Sequence, residues 1–173
     1  MPVPMDPAAV AAELDKPLAA QLLRAAPLLR LAYVSPDGDP RVVPVSFLWH
    51  ERRLVVCTIA TTAKVAALRR HPAVAVTIDH DGLPPRALLV RGRAEVEIVD
   101  GVPDEYVEAS RKTVSARGAE DFGGAVRAMY DRMARISIEP TWARLNDFET
   151  TLPREVERVV ARLSEAGRNP AAG

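Results

Sequence analysis

The stretch CTIATTAKVAALRRHP, residues 57–72, joins the end of an apolar, β-branched run to a short helical pattern. Thr61 and Thr62 carry hydroxyl side chains of the kind that cap helix starts, and apolar residues follow them at helical spacing. Pro72 cannot continue a helix, and a second β-branched run, AVAVTID, begins directly after it. The stretch therefore predicts a strand, a helix over residues 61–70 and a second strand.

The first turn of this predicted helix carries Lys64, three residues after Thr61, where Glu or Gln would complete a capping box. Backbone N–H groups at a helix start carry partial positive charge, so a cation there costs roughly 0.3–1 kcal/mol. Free amides, threonine hydroxyls and an ammonium group together are groups that bind phosphate. The residues predict either a phosphate site at the helix start or an exposed helix whose lysine points into water.

The composition of the 173 residues predicts a globular protein, with 48% hydrophobic and 27% charged residues. Lys and Arg number 23, as do Asp and Glu, so zero net charge predicts no nucleic acid and no membrane partner. Cys57 is the only cysteine, which excludes an internal disulfide and indicates a buried small hydrophobe. Because there is no leader pattern and no apolar run near ~18 residues, we expect a cytoplasmic protein.

The first half of the chain predicts two helices followed by three strands. Residues 1–7 are proline-rich and are expected to be disordered at their start, while Asp6 and Pro7 predict the beginning of the first helix. The second helix is expected from Lys16 to Leu23. Strands are expected at 28–34, 41–49 and 53–60, joined by a turn at Asp37-Gly38 and by residues 50–52. These three strands predict a meander.

The second half predicts strands at 73–79 and 86–99. In the longer one, apolar residues alternate with the charged residues Arg91, Arg93, Glu95 and Glu97, and Gly92 indicates a bulge. Between Pro103 and Ala134 we expect two helices broken near Gly118, the second with Phe122, Val126, Met129, Tyr130 and Met133 at helical spacing. Strands at 135–139 and 142–145 and an amphipathic helix at 153–165 follow.

Six or seven strands joined mostly by tight turns predict a mainly β fold of the α+β class, an antiparallel β-barrel with peripheral helices. No repeat or linker divides the chain, so residues 1–173 are expected to form one domain that ends in a helix and tail over 153–173. Phosphate-loop, dinucleotide and nucleophile-elbow motifs are absent, and His50, His71 and His80 are too scattered to predict a metal site.

Three further groups of residues are candidate sites, each with a structural alternative. In Arg41-Val42-Val43-Pro44, the proline is expected at the edge of a sheet, because it has no N–H to donate. Either the neighbouring free backbone groups bind a ligand, or the proline only protects the edge from further pairing. Arg86 begins the long strand, whose charges also suit ordinary surface ion pairs. Trp142 and Arg144 alternate along a late strand, which is typical of a packed tryptophan, an aromatic ligand site or a subunit contact.

Taken in order, the segments from Leu31 to Leu145 resemble the FMN-binding split β-barrel of the pyridoxamine 5'-phosphate oxidase-like superfamily, in its flavin/deazaflavin oxidoreductase branch. The resemblance lies in AYVSPDGDPRVVPVSFLW, LVVCTIATTAKVAALRRHPAVAVTID and RALLVRGRAEVEIV. In that family a strand ending in Thr, followed by Ser/Thr and Lys before a helix, binds the flavin phosphate. Thr58, Thr62 and Lys64 are similar to this pattern.

The resemblance implies a homodimer with the cofactor at the interface. Arg41 would reach the phosphate, the backbone of residues 42–44 would line the isoalloxazine ring, and Thr58 would contact the ring edge. Trp142 and Arg144 would lie on the partner's side of the pocket. The cofactor-binding residues implied are Arg41, Val42, Val43, Pro44, Thr58, Thr62, Ala63, Lys64, Arg86, Trp142 and Arg144.

We therefore predict an FMN-dependent oxidoreductase that acts on a small molecule, with no side chain identified as catalytic. The alternatives are a deazaflavin-dependent reductase, a flavin- or haem-binding protein without turnover, and a barrel without a ligand. An acidic deazaflavin tail would need a basic groove, which Arg69, Arg70, Arg86, Arg91 and Arg93 could form. Vitamin B6 oxidation is not expected, because residues 86–94 lack the Gln of that enzyme and no Arg-rich motif follows Leu145.

Overall fold

A computed structural model describes residues 5–80, 82–114 and 116–168, apart from the side chains of residues 116, 117, 119, 120 and 165–168. Part of the start predicted to be disordered, residues 1–4, lies outside this range. Helix α1 spans Pro7–Asp15, and the Asp6 carboxylate accepts a hydrogen bond from the Ala8 amide at 3.1 Å. The predicted cap is therefore confirmed, and α2 follows at Pro17–Ala25.

The described residues contain seven strands in one antiparallel sheet, which confirms the predicted mainly β, α+β class. The strands are β1 (Leu28–Val34), β2 (Pro40–Ser46), β3 (Leu48–His50), β4 (Arg53–Ile59), β5 (Ala73–His80), β6 (Arg86–Asp100) and β7 (Arg132–Asn146). The remaining helices are α3 (Ala63–Arg70), α4 (Asp104–Ser110), α5 (Ala116–Met129) and α6 (Arg154–Arg168). The order across the sheet is β2-β1-β5-β6-β7-β4-β3.

The sheet curls because its two edge strands are neighbours in the chain. Strands β2 and β3 lie at opposite edges, yet only Phe47 separates them. A flat sheet of this order would be roughly 29 Å wide, whereas two peptide units reach about 7 Å. The two edges must therefore approach each other at Phe47, whose side chain is fully buried. This closure gives the predicted split barrel.

The predicted meander needs a correction at Phe47. Residues 41–49 do not form one continuous strand: the first part pairs with β1, as Val43 with Leu31, and the last part pairs with β4, as Leu48 with Val55. Both hairpins exist, but they lie at opposite edges of the sheet. Alternation of apolar residues does not reveal this change of partner, because it continues unchanged through the bend.

The bulge predicted at Gly92 is confirmed. The pairing of β6 with β7 shifts register between Arg91 and Gly92, and a Cβ atom at Gly92 would lie 2.4 Å from the carbonyl oxygen of Glu139. Pro140 pairs with Gly92 at this irregularity. Because the regular pattern of backbone hydrogen bonds is already interrupted at a bulge, the missing N–H of the proline is tolerated there. As a result β7 is one long strand, whereas the sequence predicted two shorter ones.

The helical region between the two longest strands also differs from the prediction. The break falls between Ser110 and Ala116, and Gly118 lies inside α5. Helix α5 ends at Met129, and Met133 is a buried residue of β7, 1% exposed. Met133 fits both a helical and a strand periodicity, and its pairing in the sheet decides between them.

The core fills the inside of the curled sheet with aliphatic side chains and Phe47. Its largest fully buried members include Leu23, Leu29, Leu54, Leu68, Ile78, Leu88, Ile136 and Ile138. Arg91, Arg93, Glu95 and Glu97 of β6 lie on its exposed face, as predicted. Helix α6 exposes its apolar stripe, with Leu163 68% exposed. No helix in the described part of the chain has the length and hydropathy needed to cross a bilayer.

Candidate functional site

The start of α3 brings together the residues that the opening stretch singled out. Thr58 lies near the end of β4, Thr62 is the N-cap of α3, and Lys64 lies in its first turn. The Lys64 ammonium donates to the Thr58 hydroxyl, with Nζ 3.4 Å from Oγ1. The turn between β4 and α3 therefore folds the lysine back onto the strand and does not extend it into water.

The hydroxyl of Thr62 has no hydrogen-bond partner in the described part of the chain, although the residue holds the capping position. Its backbone has the extended conformation of an N-cap, but its side chain makes no capping hydrogen bond. Thr62 Oγ1 is buried and forms no hydrogen bond within the described residues. An unpaired buried polar group costs about 1–3 kcal/mol. The helix start thus keeps both its amides and a hydroxyl available for an external acceptor.

No carboxylate among the described residues forms an ion pair with Lys64. Its ammonium forms no ion pair among the side chains that the structure describes, and the first turn of α3 contains no acidic residue. Burial lowers the pKa of Lys64 below its usual value of 10.5. A half-buried cation beside the positive end of a helix dipole favours a bound anion.

Arg41 contacts the turn of its own hairpin. Its guanidinium nitrogens lie 3.4 Å from the Asp37 carboxylate and 3.5 Å from that of Asp39. These contacts are exposed, so they contribute only ~0–1 kcal/mol. Strand β2 is an edge strand, as Pro44 predicted, and Val42 is 63% exposed on it. One side of the β2 backbone is therefore not paired within the sheet.

Trp142 and Arg144 lie in a basic pocket of about 360 Å³ on the other half of β7. The guanidinium carbon of Arg91 lies 4.5 Å from the centre of the Trp142 ring, a cation–π contact. Arg144 donates to the Leu152 carbonyl at 2.7 Å and to the Asn146 side chain at 3.2 Å. Arg154 from the start of α6 completes the positive lining.

The strand register separates these two groups within one chain. Thr58 pairs with Ala134, and Trp142 lies eight residues further along β7. At 3.3 Å per residue this is ~26 Å of strand. Arg86 lies at the Trp142 end as well, since Ala87 pairs with Asn146. One protomer therefore does not bring Arg86, Trp142 or Arg144 to Lys64.

Two features of the site were not found from the sequence. The unpaired hydroxyl of Thr62 depends on how the turn packs, which no residue pattern reveals. The contact of Arg91 with Trp142 follows from their pairing beside the Gly92 bulge. Knowing the bulge register would have revealed this contact, because paired residues on the same face of two strands are neighbours.

No group of His, Cys, Asp and Glu suited to a metal ion occurs in residues 5–80, 82–114 and 116–168. Burial raises the pKa of the Cys57 thiol to about 12, so the thiol stays protonated and is a poor nucleophile near neutral pH. Thiolate or protein-bound metal chemistry thus finds no support in these residues, and the binding of an anionic group at α3 is the chemistry they favour.

Seven antiparallel strands, closed through Phe47 and flanked by helices, define a split-barrel protein. A model of the pyridoxamine 5'-phosphate oxidase family matches residues 16–147. The chain belongs to this family. No match was found among curated proteins.

Solved structures support the same assignment. An F420 reductase is 28% identical over 71% of this chain and 94% of its own, with a TM-score of 0.56. A conserved hypothetical protein from Mycobacterium tuberculosis is 19% identical over 84% of this chain and 86% of its own, with a TM-score of 0.59. The haem-storage protein HutZ from Vibrio cholerae is 18% identical over 76% of this chain and 93% of its own, with a TM-score of 0.53. The last two show the fold alone.

Proposed function

We propose that this protein is an FMN-dependent oxidoreductase and that the start of α3 holds the cofactor phosphate. The observation that carries the proposal is the un-neutralised Lys64 ammonium beside Thr58, next to the partnerless buried hydroxyl of Thr62. A phosphate ester supplies the negative charge and acceptor oxygens that these groups lack. FMN, when bound, supplies hydride and electron transfer, so the described residues need not provide a side-chain acid, base or nucleophile for that step.

In this proposal the residues at the helix start bind the phosphate oxygens directly. Lys64 contributes its ammonium, Thr62 its hydroxyl, and the amides of Ala63 and Lys64 complete the cradle. Thr58 orients the ammonium through the 3.4 Å contact and faces the ring edge. Arg41 exchanges its weak, exposed contacts with the hairpin turn for the phosphate.

The open edge of β2 lines the isoalloxazine ring. Val42, Val43 and Pro44 lie on this edge strand, which among the described strands pairs with β1 alone. Backbone groups on its free side are unpaired within the sheet and suit the polar atoms of the ring. The missing N–H of Pro44 keeps that side from pairing with another strand.

We further propose that two copies build each cofactor pocket. The ~26 Å of strand between Thr58 and Trp142 prevents one protomer from surrounding a flavin with both groups. A second copy can supply Trp142 and Arg144, with Arg91 stacked on the tryptophan. We leave Arg86 out of this set, because it lines another cavity beside α2.

A deazaflavin coenzyme is the second candidate. Two observations favour it: the 28% identity to an F420 reductase over most of that chain, and the excess of arginine around Trp142. Arg91, Arg144 and Arg154 line the pocket there and suit an acidic tail beyond the phosphate.

The absorbance spectrum of the purified protein, followed by titration with FMN and with the deazaflavin coenzyme, tests both candidates. A yellow protein, or tight binding of FMN to the colourless protein, supports the first, and preferential binding of the deazaflavin supports the second. Reduction of the bound cofactor by a nicotinamide donor and its reoxidation by an acceptor then separate an enzyme from a storage protein. Failure to bind either cofactor would overturn the proposal.

A further inference from the structure

A second cavity, of about 260 Å³, lies between α2 and the hairpin of β5 and β6. We call it the α2 cavity. Its apolar wall is formed by Leu18, Leu22 and Ala25 on one side of α2. Gln21, His80 and Arg86 provide polar groups around this wall. An apolar wall with a few convergent polar groups is the usual composition of a small-molecule site.

The α2 cavity lies far from the start of α3. Arg86 begins β6, and twelve residues further along, Ile98 pairs with Ala134, the partner of Thr58. This separation corresponds to ~40 Å of strand at 3.3 Å per residue. None of the residues around Lys64 lines the cavity. A ligand bound there would occupy a different site from the proposed cofactor.

Within the described residues, the side chain of Arg86 at the α2 cavity has one long ion pair and makes no hydrogen bond through its Nε atom. Its Nε atom is buried and makes no hydrogen bond within the described residues. One terminal nitrogen lies 3.8 Å from the Glu149 carboxylate, which is beyond hydrogen-bond range. A guanidinium has five N–H donors in a planar fork, and a carboxylate can accept two of them at once.

The other charges at the cavity are already neutralised. Asp79, which also lines it, forms an ion pair with Arg30. The C-terminal carbonyls of α2 carry partial negative charge. The Lys112 ammonium compensates this charge, since it donates hydrogen bonds to the carbonyl oxygens of Leu23 at 3.3 Å and Ala26 at 3.2 Å. What remains is the Arg86 guanidinium, which has only a long ion pair with Glu149 and an unpaired buried Nε, beside an apolar wall.

We propose that the α2 cavity binds a small amphipathic carboxylate. The carboxylate pairs with the guanidinium of Arg86, and the apolar part of the ligand lies against Leu18 and Leu22. Gln21 and His80 are positioned at the polar side to contact the carboxylate or a further polar group. The volume of about 260 Å³ restricts the ligand to a short aliphatic or single-ring acid.

The test uses hexanoate, with hexanol and hexylamine as probes of equal chain length. Calorimetric titration of the full chain should show saturable binding of hexanoate, at least tenfold tighter than that of hexanol, and no binding of hexylamine. Arg86→Gln should weaken hexanoate binding roughly tenfold, the loss expected for one charge-assisted contact. Arg93→Gln, on the exposed face of the same strand, should bind like the wild type.

A second variant keeps the test decisive if Arg86→Gln is unstable. Ala25 lies on the exposed side of α2 and lines the cavity, so Ala25→Phe should fill it and abolish hexanoate binding without disturbing the core. FMN titrated in the presence of hexanoate should bind with unchanged affinity. The proposal is overturned if hexanoate does not bind, if hexanol binds equally well, if Ala25→Phe binds hexanoate normally, or if hexanoate displaces FMN.

Discussion

The ammonium of Lys64 lies 3.4 Å from the hydroxyl oxygen of Thr58, across the turn that joins β4 to α3. This contact holds a half-buried cation at a helix start that has no acidic residue in its first turn. The arrangement is electrostatically unfavourable without an anion, because the helix dipole and the ammonium have the same sign there.

Lys64→Ala is expected to weaken FMN binding ten- to a hundredfold, since hydrogen bonds to charged groups contribute about 1.5–3 kcal/mol. Titration followed by flavin fluorescence measures the dissociation constant. Lys16→Ala is the matched control, because the Lys16 ammonium pairs with Glu13 at 2.6 Å, away from the site. Equal FMN affinity in the two variants would contradict a phosphate-binding role for Lys64.

Thr62→Val should weaken FMN binding while leaving the free energy of unfolding of the cofactor-free protein unchanged or raised. Removing a threonine cap normally costs about 0.5–2 kcal/mol, but the Thr62 hydroxyl makes no capping bond and is buried without a partner. Urea unfolding measures the change. Thr61→Val, at the exposed neighbouring position, should affect neither quantity. A loss of 1 kcal/mol or more in Thr62→Val would show that the hydroxyl already caps α3.

Mixed dimers of Lys64→Ala and Trp142→Ala chains test whether each pocket uses two copies. Each variant alone should bind FMN poorly, because both of its pockets carry the defect. In a mixed dimer one pocket carries both substitutions and the other carries neither. Co-expressed and doubly tagged mixed dimers should therefore bind one FMN per dimer with the affinity of the wild type. If the mixed dimers bind as poorly as the separate variants, the two residues do not come from different chains.

Gly92→Ala should destabilise the protein by about 1–3 kcal/mol or more, because its Cβ atom would lie 2.4 Å from the Glu139 carbonyl oxygen. Thermal and urea unfolding measure this loss. Gly124→Ala provides the opposite control: nothing lies within 4 Å of its Cβ position, inside α5. There alanine should stabilise the helix by roughly 0.5–1 kcal/mol. Similar effects of the two substitutions would contradict the bulge.

Lys112 predicts a pH dependence of stability. Its ammonium lies 3.8 Å from the centre of the Phe47 ring, and burial lowers its pKa from 10.5 to about 8. Between these values the unfolded chain binds more protons than the native protein, so this group makes stability rise with pH from about 8 to 10.5. The free energy of unfolding of the wild type minus that of Lys112→Met should therefore increase over this range.

The difference between the two proteins isolates the lysine. Burial raises the pKa of Cys57 to about 12, which makes stability fall with rising pH above the usual thiol value of 9.0, in both proteins alike. Urea unfolding at several pH values gives the two curves. A difference that stays constant with pH would mean that Lys112 keeps its ordinary pKa in the native protein.

Local patterns predicted most elements and the composition of the candidate site. The Asp6 cap, helix α3 and the Gly92 bulge depend on residues within a few positions of each other, and the structure confirms them. The errors fell where a local pattern permits two outcomes. Met133 suits a helix or a strand, and residues 41–49 alternate equally well in one strand or in two.

The sequence by itself predicted most of the strands, the starts of α1 and α3, and the grouping of Thr62 with Lys64, because caps, turns and periodicities involve residues within a few positions of each other. Only the tertiary structure decided that β2 and β3 lie at opposite edges, that Arg91 stacks on Trp142, and that Arg86 lines the α2 cavity. These relations join residues distant in sequence. The strand register that brings them together is set by burial of the whole hydrophobic core, and no short segment determines that burial alone.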